Sequence, residues 1–151
     1  MREVPQIKAA YDWMVEAYQT EVSAAVSAGN HVAVDRLDKN RDALERGMFV
    51  VLFGQFEKAV AEYFQQARDT RAANPDWSIR RGWDISTYAG DRVPFETRLT
   101  LVVDKRNPSY GGILQAYGLR NHCPHGGTSQ PVGSIDEFVK DLYVWSSLLR
   151  R

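Results

Sequence analysis

Met48-Phe49-Val50-Val51-Leu52-Phe53 is apolar on every side of a helix. A helical segment with no polar face belongs in the middle of a bundle or against a partner, so this run predicts a helix with neighbours all round. It lies inside a longer segment, from about His31 to Arg71, whose apolar side is read as Val34, Leu37, Leu44, Met48, Val51, Phe56, Val60 and Phe64. The first half of that segment is charged and the second half is not. Gly47 and Gly54 flank the run, and each costs about 1 kcal/mol relative to Ala in a helix, which points to a close contact or a bend. Glu57 follows directly, as a surface carboxylate paired with Lys58 or as a polar group facing a site.

Upstream, Ile7, Tyr11, Met14, Tyr18, Val22 and Val26 recur at steps of three or four and predict an amphipathic helix from Val4 to Ala28. Gly29-Asn30 ends it, since Gly accepts left-handed geometry past a helix and Asn caps the next one. Downstream, residues 72–94 lose the pattern. Asn74-Pro75-Asp76-Trp77, Arg80-Arg81-Gly82-Trp83 and Ala89-Gly90-Asp91 read as turn chemistry, and the stretch is expected to be irregular. Its Trp77, Trp83 and Tyr88, with Arg68, Arg71, Arg80, Arg81 and Arg92, can serve as stacking platforms and phosphate contacts for a single strand. The competing reading, in which aromatics anchor the stretch while arginines are solvated or paired with Asp69, Asp76, Asp84 and Asp91, is the favoured one.

Pro94 opens a short helix through Phe95, Leu99, Val102 and Val103, although its threonines and valines also tolerate a strand. Asn107-Pro108 starts another, through Ile113, Leu114 and Tyr117 to Arg120, after which Pro124 is expected to loosen it. Ser134-Ile135-Asp136-Glu137 is a capping box, and Phe138, Leu142, Trp145 and Leu149 mark the face of a last helix. The expected fold is all-α, an up-and-down bundle of about five helices in a single domain over residues 1–151.

Lys plus Arg and Asp plus Glu are 19 each in 151 residues, so no global field draws in nucleic acid and any such binding rests on a local patch. One cysteine excludes an intrachain disulfide framework. The first residues show no apolar run with a cleavage site, and no stretch approaches the roughly 20 apolar residues of a membrane span. A soluble, cytoplasmic protein without a membrane partner is expected.

Chemistry concentrates in Leu119-Arg120-Asn121-His122-Cys123-Pro124-His125-Gly126-Gly127, which holds two of the three histidines and the only cysteine. Histidine gives and takes protons near neutral pH, and arginine offers a permanently charged fork that matches phosphate oxygens. Those are the groups needed to deprotonate a ribose 2′-hydroxyl, stabilise the phosphorane and protonate the leaving oxygen without a metal. On one straight helix Arg120 and His125 stand about 140° apart, so either a kink at Pro124 or a second chain completes the site. Three readings compete. His122, Cys123 and His125 as metal ligands lack a second pair elsewhere, because His31 is alone. Arg and His at a helix C-terminus also interact favourably with its carbonyl end and need no further role. Cys123 as a nucleophile has histidines beside it but no orienting motif. No metal and no cofactor is expected.

Arg120-Asn121, three residues, then His125-Gly126 resembles the Arg-x4-6-His motif of the HEPN family, carried at the end of a late helix before a final one. Phe53-Gly54-Gln55-Phe56-Glu57-Lys58 is similar to the aromatic-then-Glu segment that several bacterial HEPN groups carry in an earlier helix. The likeness is strongest to stand-alone groups such as RiboL-PSP-HEPN and extends, as pattern, over Phe49 to Leu149. The resemblance implies a helical bundle, a homodimer with Arg and His of both chains in a shared cleft, and RNA cleavage to 2′,3′-cyclic phosphate ends. It implies Arg120 on the phosphate, His125 as acid and base, and Asn121 and Glu57 in support. Arg80, Arg81 and His122 are the candidate RNA contacts. A toxin or defence setting follows, with a nucleotidyltransferase-like antitoxin as possible partner. The alternative is a non-catalytic module that binds nucleotide, RNA or protein through the same cleft.

Overall fold

The computed structural model describes residues 1–89, 93–123 and 132–149, without the side chains of 84–89. These residues form α1 (Val4–Ser27), α2 (His31–Ala72), α3 (Trp77–Ala89), α4 (Phe95–Val102), α5 (Ser109–His122) and α6 (Ile135–Leu148), with no strand among them. The class is all-α, and α2 packs against each of the other helices.

The apolar run explains that central position. Phe49, Leu52, Phe53, Phe56 and Val60 are buried on α2, joined by Val4 and Tyr11 of α1, Leu99 of α4, Ile113 of α5, and Ile135, Phe138, Leu142 and Trp145 of α6. Phe53 is the hub: its ring lies 5.7 Å from Phe95, 6.0 Å from Phe56 and 6.2 Å from Tyr117. Edge and offset contacts of this kind contribute about 0.5–1.5 kcal/mol each beyond burial. One assignment is corrected: Val51 does not face the core but is 49% exposed, because Leu52 and Phe53 take the buried phase of the helix.

Between α1 and α2, Gly29 adopts φ +64° and Asn30 Oδ1 accepts from the Ala33 N–H at 3.0 Å, as expected of that pair. Beyond Tyr11 the two helices form an arm held by polar side chains, with Tyr18 bonded to Asp38 and stacked by Arg41 at 5.3 Å.

Residues 72–94 are not irregular throughout, and the expectation of about five helices fails here, since α3 makes six among the described residues. Its turn chemistry is a helix cap. Asn74 Oδ1 accepts from the Asp76 N–H at 2.8 Å, Asp76 Oδ1 from the Ser78 N–H at 2.8 Å, and Arg80 N–H bonds to Asp76 O at 3.0 Å. The Ser78 hydroxyl, donating to Asp76 Oδ1 at 2.7 Å, and the Ser78 N–H hold the Asp76 carboxyl below its ordinary pKa. Trp83 anchors α3 by stacking on Phe64 at 5.9 Å, in a second cluster with Val93.

Helix α4 ends as Val103 turns extended at φ −125°, ψ 131°. Asn107 Oδ1 caps α5 through the Ser109 N–H at 2.9 Å. The expected loosening after Arg120 does not occur up to Cys123, the last described residue here: α5 runs to His122, and the Cys123 N–H still bonds to Leu119 O in helical geometry. Pro124 lacks only its own donor, so bonds ending at Cys123 are untouched. Ser134 accepts from the Glu137 N–H at 3.4 Å and opens α6, whose Phe138, Leu142 and Trp145 are buried, with Leu149 just past its end. No helix of the described residues is long and apolar enough to cross a membrane.

Candidate functional site

Glu57 falls one turn past the Phe53 layer, where α2 turns a half-buried face toward the C-terminal end of α5. Arg120 meets it there, with Nη2 3.1 Å from Glu57 Oε2, the side chains 35% and 22% exposed respectively. Nη1 of Arg120 donates to Asn121 Oδ1 at 3.1 Å. Its Nε is buried and bonds to nothing among the described residues. The guanidinium is thus held by a carboxylate and an amide, and its Nε–H makes no bond among the described residues.

Burial pushes the Glu57 carboxyl above the ordinary carboxylate range, and the Arg120 charge pulls it partly back. The group therefore holds a proton at higher pH than an exposed glutamate. One turn beyond Arg120, burial raises the Cys123 thiol, opposed by the charge of Arg46 and reinforced by that of Asp42. This is the reverse of an activated nucleophile, whose thiolate needs a lowered pKa.

Arg46 was not singled out in the sequence. It stands 11 residues before Glu57, which is about 20° away on the same helix face. It lines a cavity of about 360 Å³ with Ala43, Gly47, Val50 and Cys123, and its Nε is 3.0 Å from Asp42 Oδ2. A repeat of 11 was the signal available.

The other candidates do not join this cluster. His122 is exposed, and its Nδ1 lies 2.6 Å from Gly118 O, one turn back on its own helix. Arg80 stacks over Trp77 at 5.5 Å and donates to Asn74 O at 3.2 Å, while Arg81 is exposed. Both belong to α3, which follows α2 and packs against it through Trp83 on Phe64, about two turns past Glu57. The favoured reading of that stretch holds for Trp83, which anchors it, and for Arg68, 3.3 Å from Asp69, whereas Trp77 is 59% exposed. His125, Pro124 and Arg92 lie outside the described residues, and so do Asp91 and the side chains of Asp84 and Tyr88.

A separate cavity of about 700 Å³ lies between α3, α4 and α5, lined by residues that include Val93, Leu101, Tyr110 and Leu114. It is mostly apolar and includes neither Glu57 nor Arg120. Among the described residues no three His, Cys, Asp or Glu side chains gather as a metal site.

The cluster supplies a fixed cation, Arg120, whose counter-ion Glu57 is itself a carboxyl of raised pKa. Such a pair can receive an anion such as a phosphate oxygen on the guanidinium. No protein-family model, curated protein or solved structure matches the chain.

Proposed function

We propose that the chain is a HEPN-type, metal-independent endoribonuclease that acts as a homodimer. The observation that supports this reading best is the meeting of Arg120 and Glu57 across α2 and α5, with Asn121 bonded to the same guanidinium. The two motif segments that resemble the family are far apart in sequence, and Glu57 of one meets Arg120 of the other, with Asn121 beside it.

In this reading the scissile phosphate displaces Glu57 from Arg120, whose fork neutralises charge developing on the phosphorane. His125 takes the 2′-hydroxyl proton and returns a proton to the leaving 5′-oxygen. The 2′-oxygen forms a bond to phosphorus as the 5′-oxygen leaves, so the products are a 2′,3′-cyclic phosphate and a 5′-hydroxyl. Asn121 fixes the plane of the guanidinium. A toxin or defence role with a nucleotidyltransferase-like antitoxin belongs to the same proposal.

A second reading draws on the same pair. Arg120 is already matched in charge by Glu57, which suits a cleft that binds nucleotide, RNA or a protein partner without reaction. Cleavage of a mixed RNA pool in excess EDTA separates the two. Cyclic-phosphate ends from the wild type, absent with Arg120→Ala and His125→Ala, support the nuclease. RNA binding with no cleavage by any of the three folded proteins supports the binding module.

A further inference from the structure

Arg120 is not alone in bordering the space between α2 and α5. Counted from Glu57 at about 100° per residue, Val50 and Arg46 fall within ~20° of it, and Ala43, Gly54 and Gly47 within ~80°. One face of α2 thus carries, toward its N-terminus, a carboxylate, a glycine, a valine, a second glycine and an arginine. The structure opens this face. Ala43, Arg46, Gly47 and Val50 wall the cavity of about 360 Å³ beside Cys123, with the Asp42 carboxylate paired to Arg46 at its edge.

The two glycines make the floor low. A Cβ at Gly47 or Gly54 would meet no described atom within 4 Å. Neither is therefore required for packing among the described residues, although glycine weakens a helix interior relative to alanine. What their absence of side chains does provide is close approach to the helix backbone.

A guanidinium stands at each end of that floor. Arg46 is 21% exposed and oriented by Asp42 through Nε, and its backbone lies about 16 Å along the α2 axis from that of Glu57, whose carboxylate holds Arg120. That separation corresponds to about five stacked nucleotides at ~3.4 Å each, and fewer in an extended strand. A chain molecule with regularly spaced negative charges fits two such cations separated by a shallow, partly apolar floor.

We infer that Arg46 binds a second phosphate of the RNA strand whose scissile phosphate sits at Arg120, along a track over Gly54, Val50 and Gly47. The inference rests on the ribonuclease reading and adds a length requirement to it. A strand too short to reach Arg46 gains nothing from it, whereas a longer one is held at both cations.

The test uses RNA made uncleavable by 2′-O-methyl groups, as a dinucleotide and a hexanucleotide, titrated by fluorescence anisotropy at several KCl concentrations. The wild type, Arg46→Gln and Arg46→Lys are compared, together with Gly47→Glu, which leaves Arg46 in place and puts a carboxylate on the open, exposed floor. Arg46→Gln is expected to weaken the hexanucleotide about tenfold and to reduce its salt slope by about 0.7, the value of one released counterion for a single strand. Dinucleotide affinity stays at the wild-type value, Arg46→Lys keeps the slope, and Gly47→Glu weakens only the hexanucleotide. On cleavable hexanucleotide Arg46→Gln raises KM and leaves kcat. Equal hexanucleotide affinity and slope in wild type and Arg46→Gln, with the wild type cleaving RNA, would overturn the inference and leave the ribonuclease reading intact. Equal weakening of both lengths would overturn it too, as a general effect on the fold. A wild type that neither binds nor cleaves RNA removes the ribonuclease reading and the inference together.

Discussion

Replacing Arg120 by methionine keeps most of the length of the side-chain stem and removes the charge, leaving Glu57 half-buried without its counter-ion. Exposed ion pairs contribute about 0.2–1 kcal/mol, and stranding one partner of a buried pair costs about 3–5 kcal/mol. With Glu57 22% and Arg120 35% exposed, solvent screens part of the interaction, and we place Arg120→Met between those limits, at about 1–2 kcal/mol near neutral pH. For a chain of this size that is a fall in Tm of about 3–6 °C. The pH dependence fixes the cause. Burial already raises the Glu57 carboxyl, and the Arg120 charge opposes that rise, so the pKa climbs further in Arg120→Met. A carboxyl whose pKa is higher folded than unfolded binds extra protons in the folded state. Its stability is full below the unfolded value and is lost as pH rises through the folded one. The Tm deficit of Arg120→Met relative to wild type should therefore be largest near neutral pH and shrink as pH falls toward the ordinary carboxylate range. Thermal melts by circular dichroism across that range, on wild type, Arg120→Met, Glu57→Gln and the double variant, give the pH profile and a coupling of about 1 kcal/mol between the residues. Additive single effects, or a deficit that does not change with pH, would refute the reasoning.

The two tryptophans around α3 should separate cleanly in urea denaturation. Trp83→Ala is expected to cost about 3–5 kcal/mol, since Trp83 is 5% exposed against Phe64, and Trp77→Ala, at a 59% exposed position, within about 0.5 kcal/mol. Gly47→Ala should raise stability by up to about 1 kcal/mol, because the added methyl meets no described atom; a drop would show that the space is used. Burial holds the Cys123 thiol above its ordinary pKa, so iodoacetamide near pH 8 should alkylate it more slowly than a free cysteine. A rate at or above that of the free thiol would contradict the environment described for it.

Most helices were legible because periodicity and caps agree. Gly29-Asn30 marked the first turn, Asn107 and Ser134 marked two later starts, and each cap is bonded as its residue type predicts. Helix α3 was missed because only Trp83 is buried among its described side chains, and one anchor carries no period. Asn74 and Asp76, which looked like loop chemistry, are the residues that start it. The same local signals failed at Val51 for the opposite reason. In a run where every residue is apolar, the pattern does not say which side turns inward, and packing against Phe95, Tyr117 and Phe138 decides it.

Glu57, Arg120 and Asn121 of the candidate site were legible in the sequence as residues, and how they meet was not. Helical phase shows that Glu57 lies one turn beyond Phe53 and that Arg120 follows Tyr117, but neither phase contains the offset between the two helices. That offset is held by the aromatic layer, where the Phe53 ring lies 6.2 Å from Tyr117. Cys123, six residues past Tyr117, lines a cavity with Ala43, Arg46, Gly47 and Val50, so α5 runs opposite to α2 and Arg120 reaches back along it to Glu57, with Nη2 and Oε2 3.1 Å apart. Core register and site register are one quantity. A substitution that slides α5 along α2, such as loss of the Tyr117 ring, is expected to disturb the Arg120 contact without touching either charged residue.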